Sequence, residues 1–158
     1  MTIKLSLQNE ELARAPVQYQ PNPPHRILVV EDEPEIRHLN AKVLKDSGYE
    51  VDTAQDAMTG WNALHAAPHA LDSYSLLVTD YNMPGLTGLD LVERLRAAHM
   101  SLPVILASGT LPMEKLMNRD HWLQPLVTLP KPYSVEQFLG TVEAVLRTSD
   151  AAGCRLVH

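Results

Sequence analysis

The 158-residue chain predicts an α/β fold, a doubly wound parallel sheet of five strands with five helices. Three observations carry this prediction. Five short apolar runs recur along the chain, each run is followed by a segment with apolar residues at helical spacing, and polar residues directly follow most of the runs. Because crossovers between parallel strands are right-handed, few other topologies fit such an alternation.

The five apolar runs are too short for helices and are predicted to be strands. The first of them, Arg26-Ile27-Leu28-Val29-Val30, is apolar on both faces, as a buried parallel strand requires. The predicted strands span residues 26–30, 49–54, 76–78, 104–107 and 126–129.

The five predicted helices are marked by starting or stopping residues or by an apolar stripe. Pro34 suits the first turn of the first helix, and Gly48 ends that helix. The other helices are expected at about 56–67, around Leu89, Val92 and Leu95, more weakly at about 112–121, and from Val135 to Leu146.

Composition and charge argue against several classes of protein. The net charge of -6 leaves no basic stripe to neutralise nucleic-acid phosphates. No run approaches the roughly 20 apolar residues of a membrane span, and the first residues lack an apolar signal-peptide core. The single Cys154 excludes an intramolecular disulfide. We therefore expect a cytoplasmic protein with no direct contact with nucleic acid or membrane.

The chain is expected to divide into three segments. Residues 1–24 are mostly polar and close on Pro21-Asn22-Pro23-Pro24, which neither continues a helix nor joins a central strand. We interpret them as a flexible N-terminal arm or linker. The alternating pattern occupies residues 25–148, and residues 149–158 are predicted to be a C-terminal tail.

Candidate functional residues follow four of the five predicted strands. In such a sheet, ligands bind beyond the carboxyl ends of the strands, where the strand order reverses. We therefore expect these residues to meet at one edge of the sheet. They are Glu31, Asp32 and Glu33 after the first strand, Asp80 after the third, Ser108 after the fourth and Lys131 after the fifth.

This set of groups suits phosphoryl transfer assisted by a divalent cation. Crowded carboxylates repel one another unless a cation lies among them or a pKa is raised, and a few hard oxygen ligands suit Mg2+. Asp80 is suited to attack phosphorus, while Lys131 and Ser108 are suited to stabilise charge on the transferred group. Each residue alone has an ordinary explanation as a helix start, turn or surface group. Their order along four strands favours a site.

Three motifs resemble the receiver domain of bacterial response regulators. They are Ile27-Leu28-Val29-Val30-Glu31-Asp32-Glu33-Pro34, Thr79-Asp80-Tyr81-Asn82-Met83-Pro84 and Lys131-Pro132. The resemblance covers about residues 25–148. It implies the flavodoxin-like strand order 2-1-3-4-5 and a cis bond between Lys131 and Pro132, although only about 5–6% of X–Pro bonds are cis.

The resemblance implies that Asp80 accepts a phosphoryl group and, with Asp32 as the principal carboxylate, binds Mg2+. Glu31 would act through a metal-bound water, and Asn82 would offer its backbone carbonyl to the metal. The phosphoryl donor would be a histidine kinase or a histidine phosphotransfer protein. The output face, which would also be the face of a homodimer, is expected around helix four, strand five and helix five.

Further residues take roles from the same resemblance. Ser108 would supply the hydroxyl that moves toward the phosphoryl group, and Lys131 would pair with that group. Asn82 and Thr110 would flank the path of the water that attacks during slow self-dephosphorylation. Gly88 matches a glycine at the start of the third helix in the family.

Two positions depart from the family pattern. Thr128 replaces the usual aromatic residue three positions before the lysine, which swings inward when the hydroxyl moves. Pro130, directly before Lys131, stiffens the loop. We expect phosphorylation to survive both changes, with a different or smaller shift around helix four.

Three other functions fit parts of the pattern. An aspartate-nucleophile phosphatase needs a second aspartate at the position of Asn82, and a flavin carrier would not place Glu31-Asp32-Glu33 beside a phosphate. The alternative that stays open is a receiver-like binding module that is never phosphorylated. The sequence also leaves open whether the domain acts alone or belongs to a hybrid sensor kinase.

Overall fold

The computed structural model describes residues 24–66, 74–110, 114, 116 and 120–156. Five parallel strands form one sheet in the order β2-β1-β3-β4-β5, which confirms the predicted sheet and its strand order. The strands are β1 (Arg26–Val30), β2 (Glu50–Ala54), β3 (Leu76–Asp80), β4 (Val104–Ser108) and β5 (Leu126–Pro130).

Helices follow each strand in the described ranges. Among the helices whose bounds the structure gives, four have ten residues or more and one has four residues. They are α1 (Pro34–Asp46), α2 (Ala57–Ala66), α3 (Gly88–Ala97), α4 (Asp120–Leu123) and α5 (Val135–Leu156). No helix in this part of the chain is long and apolar enough to cross a membrane.

Most of the weak helix predicted at about 112–121 lies outside the described residues. Those that are described within it, Glu114, Leu116, Asp120 and His121, are helical, and α4 extends to Leu123. The last helix continues to Leu156, so residues 149–156 are helical where a tail was predicted. The predicted arm lies outside the described ranges up to residue 23.

The continuation of α5 is held to the start of the sheet by a side-chain network. His25, just before β1, places Nε2 at 3.1 Å from Asp150 Oδ2 and Nδ1 at 2.8 Å from Ser75 Oγ. These contacts join residues that are 125 and 50 positions apart. They are long-range interactions that no local pattern in the tail announces.

The sheet separates two apolar layers, because successive side chains of each strand point to opposite faces. One layer contains Leu28 and Val30 of β1 with the buried faces of α2 and α3. The other contains Ile27 and Val29 of β1 with Phe138, Val142 and Leu146 of α5. All residues of β3 and β4 are buried, so the residues at their carboxyl ends start from a rigid frame.

A buried arginine ties α3 to the segment that leads into β5. Arg96 is only 7% exposed, and its guanidinium donates to the carbonyl oxygens of Leu123 at 2.9 Å, Met100 at 2.7 Å and Pro125 at 3.0 Å. Burial lowers the pKa of Arg96 from its usual value. The Pro125 carbonyl also accepts from the Val104 N–H at 3.1 Å, so removing Arg96 takes the side-chain donor away from the carbonyls of Leu123 and Met100 in particular.

We expect Arg96→Met to lower the free energy of unfolding by roughly 2–4 kcal/mol, because buried carbonyls lose their donors. The matched control is Arg94→Met on the same helix, where the guanidinium is exposed and contacts Met58 Sδ at 3.7 Å. That variant should stay within about 0.5 kcal/mol of the parent. Urea unfolding of the three proteins measures both changes. Equal losses of unfolding free energy in the two variants would contradict a stabilising role of the Arg96 hydrogen bonds.

Candidate functional site

The structure brings three acidic residues together at the carboxyl edge of the sheet. Glu31 and Asp32 directly follow β1, and Asp80 is the last residue of β3. One carboxylate oxygen from each residue lies within 4.8 Å of the others. Glu31 and Asp80 are buried at 2% and 6% exposure, so their charges cannot be screened by bulk water alone.

Lys131, directly after β5, supplies the nearby positive charge. Its Nζ atom lies 3.3 Å from Asp80 Oδ1 and 3.4 Å from Glu31 Oε2. The backbone N–H of Lys131 donates to the carbonyl of Ser108 at 2.9 Å, which fixes where the side chain starts. Lys131 thus contacts two of the three carboxylates, and the cluster keeps an excess of negative charge when all three are ionised.

Burial and crowding raise the pKa of the acidic groups. Burial is the main cause that lifts the pKa of Glu31 to about 7, and the Asp80 charge adds to it, while Lys131 opposes it. Burial also raises the pKa of Asp80, against the opposing effect of Lys131. Burial by itself lowers the pKa of Lys131, but Glu31 and Asp80 together outweigh it and leave that pKa raised.

Ser108 lies at the same edge, as predicted, but its hydroxyl is engaged in its own loop. Ser108 is the last residue of β4 and is buried at 1% exposure. Its Oγ atom donates to the carbonyl of Thr110 at 2.9 Å and accepts from the Thr110 N–H at 3.1 Å. A Ser108 hydroxyl that acts on a group at Asp80 would have to leave the Thr110 carbonyl.

The other predicted residues lie around this cluster. Asn82 is exposed in the loop after β3, and its backbone N–H is near enough to lower the pKa of Asp80. Thr128 is exposed on β5, so no aromatic ring occupies that position. The Lys131–Pro132 bond is cis, which confirms the isomer that the resemblance implied.

Gly88 is required by the backbone next to Asp80. It is the first residue of α3, and its N–H donates to the carbonyl of Tyr81 at 3.0 Å. A Cβ atom at this position would lie 2.1 Å from the Asp80 carbonyl oxygen, which is far inside contact distance. Thr87 fixes the start of the helix through a reciprocal capping box with Asp90.

The sequence did not reveal two supports of the site. Arg37, in the first turns of α1, donates to the carbonyl of Glu31 at 2.8 Å and to that of Asp32 at 3.3 Å. Asn40 Nδ2 donates to the hydroxyl of Tyr133 at 2.9 Å and so ties α1 to the loop after Lys131. In the sequence, the local sign of the first support is that a basic residue, Arg37, lies on the helix that follows the acidic run.

The chain belongs to the response regulator receiver domain family. The family model matches residues 27–143, which include all four strand ends that build the cluster. The chain therefore carries a receiver domain of the kind found in two-component response regulators. This assignment confirms the resemblance of the three motifs and disfavours the phosphatase and flavin-carrier alternatives.

Proteins similar to this chain occur in several arrangements. The transcriptional regulatory protein TctD of Salmonella typhimurium is 35% identical over 126 residues, which are 78% of this chain and 53% of that protein. The chemotaxis protein CheY4 of Vibrio cholerae has a TM-score of 0.67 at 27% identity, covering 77% of this chain and 98% of that one. NtrX from Brucella abortus has a TM-score of 0.69 at 30% identity, covering 82% and 28%.

The chain spans about half the length of the curated relatives it matches. What those longer proteins do beyond the shared receiver region is a property of the relatives.

The raised pKa of Glu31 predicts a pH-dependent stability in buffer without divalent cations. The pKa of Glu31 is about 7 in the folded protein and has the ordinary value of 4.5 in the unfolded chain. Its contribution to the free energy of unfolding is therefore complete below the unfolded pKa and is lost as the pH rises through the folded pKa. The free energy of unfolding of Glu31→Gln should therefore fall less than that of the parent between about pH 5 and about pH 8. Glu33→Gln, at an exposed position, should follow the parent. Urea unfolding at a series of pH values measures this, and parallel curves for all three proteins would refute it.

The close approach at Gly88 predicts a large effect of one methyl group. Gly88→Ala should lower the free energy of unfolding by more than about 2 kcal/mol, because the backbone of Asp80 or the start of α3 must move. Gly140→Ala is the control, since nothing lies within 4 Å of a Cβ atom there and alanine favours the helix by roughly 0.5–1 kcal/mol. Thermal unfolding distinguishes the two, and a neutral Gly88→Ala would show that the loop adapts.

Proposed function

We propose that this receiver domain is a phosphorylation-operated switch that accepts one phosphoryl group on Asp80. The observation that carries the proposal is the environment of that carboxylate. Asp80 ends a fully buried strand, lies among the carboxylates of Glu31 and Asp32, and has the ammonium group of Lys131 at 3.3 Å. A nucleophilic carboxylate, two further carboxylates and an ammonium group thus lie next to one another.

The transfer itself needs little covalent chemistry from the protein. A carboxylate oxygen of Asp80 forms the new bond to phosphorus, the bond from phosphorus to the donor breaks, and its electron pair leaves with the donor. Lys131 Nζ, already beside Oδ1, stabilises the negative charge of the transferred group. The Asn82 N–H, which lowers the pKa of the same carboxyl group, favours its ionised form before the reaction.

The donor set fits Mg2+. Three carboxylate oxygens within 4.8 Å of one another share one ammonium group, which leaves uncompensated negative charge, and hard oxygen ligands in small number are those that Mg2+ accepts. Asp32 and Asp80 would hold the ion directly, Glu31 through a water, and Asn82 through its backbone carbonyl. When bound, Mg2+ offsets the charge of the carboxylates and of the phosphoryl oxygens.

Ser108 and Thr110 are proposed to respond to the phosphoryl group. The Ser108 hydroxyl now donates to the Thr110 carbonyl, and phosphoryl oxygens are stronger acceptors than a carbonyl. Rotation of the hydroxyl toward them would release Thr110 and the loop after β4. Asn82 and Thr110 would then border the path of the water that reverses the reaction, so the switch resets itself slowly.

The phosphoryl donor is proposed to be a histidine kinase or a histidine phosphotransfer protein, as family membership suggests. The output is proposed to pass through the predicted fourth helix at about 112–121, β5 and α5, which follow Ser108 and Thr110 in the chain, and this face would also support a homodimer. Three arrangements agree with this proposal: a domain that signals alone, a domain within a hybrid kinase and a domain beside a DNA-binding module. No direct contact of this domain with nucleic acid is proposed.

The proposal predicts phosphorylation at one carboxylate only. After incubation with acetyl phosphate, intact-protein mass spectrometry should show one added phosphoryl group in the presence of Mg2+ and none without it. Asp80→Asn should show no addition, whereas Asp46→Asn, which alters an exposed carboxylate on α1, should behave like the parent. Circular dichroism confirms that each variant is folded.

Either of two outcomes would contradict phosphorylation of Asp80. Addition that persists in folded Asp80→Asn would place the acceptor elsewhere. No addition to the parent protein under any condition would favour the receiver-like binding module that acts without phosphorylation.

A further inference from the structure

The outer edge of β5 carries backbone groups that no described residue pairs with. β5 is the last strand of the sheet and forms a ladder with β4. The carbonyl of Pro125 accepts from Val104 N–H at 3.1 Å, and Lys131 N–H donates to Ser108 at 2.9 Å. Backbone groups alternate in direction along a strand, so Leu126, Thr128 and Pro130 point outward.

Thr128 is the outward residue that offers both a donor and an acceptor. The N–H of Leu126 donates to the side chain of Gln124 at 3.0 Å, and Pro130 has no N–H. Thr128 itself is exposed. Within the described part of the chain, the edge therefore presents one N–H group and three carbonyls to an incoming strand.

An apolar groove runs along this edge between β5 and α5. It has a volume of about 1090 Å3, and Val127 and Leu129 of β5 form its floor while Gly140, Thr141 and Ala144 of α5 form its wall. Val127 is 40% exposed, and a Cβ atom on Gly140 would meet nothing within 4 Å. The groove extends past both ends of the strand, from Pro125 to Pro132, and is long enough for a strand of similar length.

The N-terminal arm enters the described structure beside the mouth of this groove. His25, directly after the arm, lines a smaller cleft of about 290 Å3. The cleft and the groove share Ser101, Pro103 and Ser149 as lining residues. A chain that leaves the sheet at His25 is therefore already at the end of the groove nearest to Pro125.

The arm contains one segment with the pattern of a half-buried strand. Ile3, Leu5 and Leu7 alternate with the polar residues Thr2, Lys4, Ser6 and Gln8, which places all three apolar side chains on one face. Residues 9–24 lie between this segment and His25. Extended, they reach up to about 50 Å, whereas four strand spacings from β1 to a position outside β5 need only about 19 Å.

We propose that residues 2–8 of the arm pair with the outer edge of β5 as a sixth strand. Ile3, Leu5 and Leu7 fill the groove over Val127 and against Gly140 and Ala144. The Thr128 N–H donates to a carbonyl of the arm, and N–H groups of the arm donate to the outward carbonyls. The arm is then an internal ligand of the β5–α5 face and covers an edge that would otherwise be open to other chains.

Amide hydrogen exchange followed by NMR tests the pairing in the full chain. The Thr128 amide should exchange about tenfold or more slowly in the parent than in Leu5→Glu, which places a charge in the groove. Ser6→Glu, on the opposite face of the segment, should behave like the parent. The Val127 and Leu129 amides, which face β4, should stay protected in every variant and report an intact fold.

A second pair of variants tests the groove from the other side. Ala144→Arg fills it from an exposed position of α5, and Ala151→Arg adds the same side chain at an exposed position that does not line it. Ala144→Arg should accelerate exchange at Thr128 to the rate of Leu5→Glu, and Ala151→Arg should not.

Three outcomes would overturn the proposal. Fast exchange of Thr128 in the parent shows an uncovered edge, and slow exchange that survives both Leu5→Glu and Ala144→Arg shows a cover other than the arm. A tethered segment acts at an effective concentration on the order of millimolar, so dilution leaves its protection unchanged. Protection that appears only at high protein concentration would assign the groove to a second copy of the chain.

Discussion

The excess of carboxylate over ammonium charge at the carboxyl edge is the constraint on which the site depends. The sheet order puts β1 beside β3, so the acidic run after one strand must lie next to Asp80 at the end of the other. Lys131 comes from β5, two strands away from β3, and reaches back to both Glu31 and Asp80. Like charges at this spacing are tolerated because each buried carboxylate has a cation or an N–H group beside it, and the remaining repulsion favours a further cation.

The backbone around Asp80 leaves little freedom to relieve that repulsion. The strand is buried along its whole length, Tyr81 N–H donates to the Ala107 carbonyl at 2.8 Å, and α3 begins against the Asp80 carbonyl through Gly88. This rigidity has a functional advantage. Because the carboxylates cannot move apart, their repulsion is reduced when a cation binds among them. The group proposed to move is the Ser108 hydroxyl, which now donates to the Thr110 carbonyl.

Local patterns predicted the strands well because each is short and bounded by polar residues, glycine or proline, and all but β2 are mostly apolar. The same alternation located Glu31, Asp32, Asp80, Ser108 and Lys131 at one edge. What the sequence could not supply were individual side-chain hydrogen bonds, whether to a nearby carbonyl or to a distant side chain. Arg37 donates to the backbone carbonyls of Glu31 and Asp32, two residues whose side chains already account for their presence in the motif. The Asn40–Tyr133 pair joins residues 93 positions apart.

The end of α5 shows a second reason for failure. Residues 149–156 contain Gly153 and lie outside the apolar stripe that marks the helix, so a tail was the natural expectation. Helical structure there coincides with the contact between Asp150 and His25, which depends on the completed sheet. Tertiary contacts of this kind override weak local preference.

The continuous helix α5 has a mechanical consequence. With 22 residues it is about 33 Å long, and it begins four positions after Lys131 and passes the opposite edge of the sheet at His25. A rotation of about 5° around its first turn displaces its far end by roughly 3 Å. A small rearrangement at the charged edge, near Lys131, would therefore produce a larger displacement at the far end of α5. That end lies beside His25, where the chain enters β1.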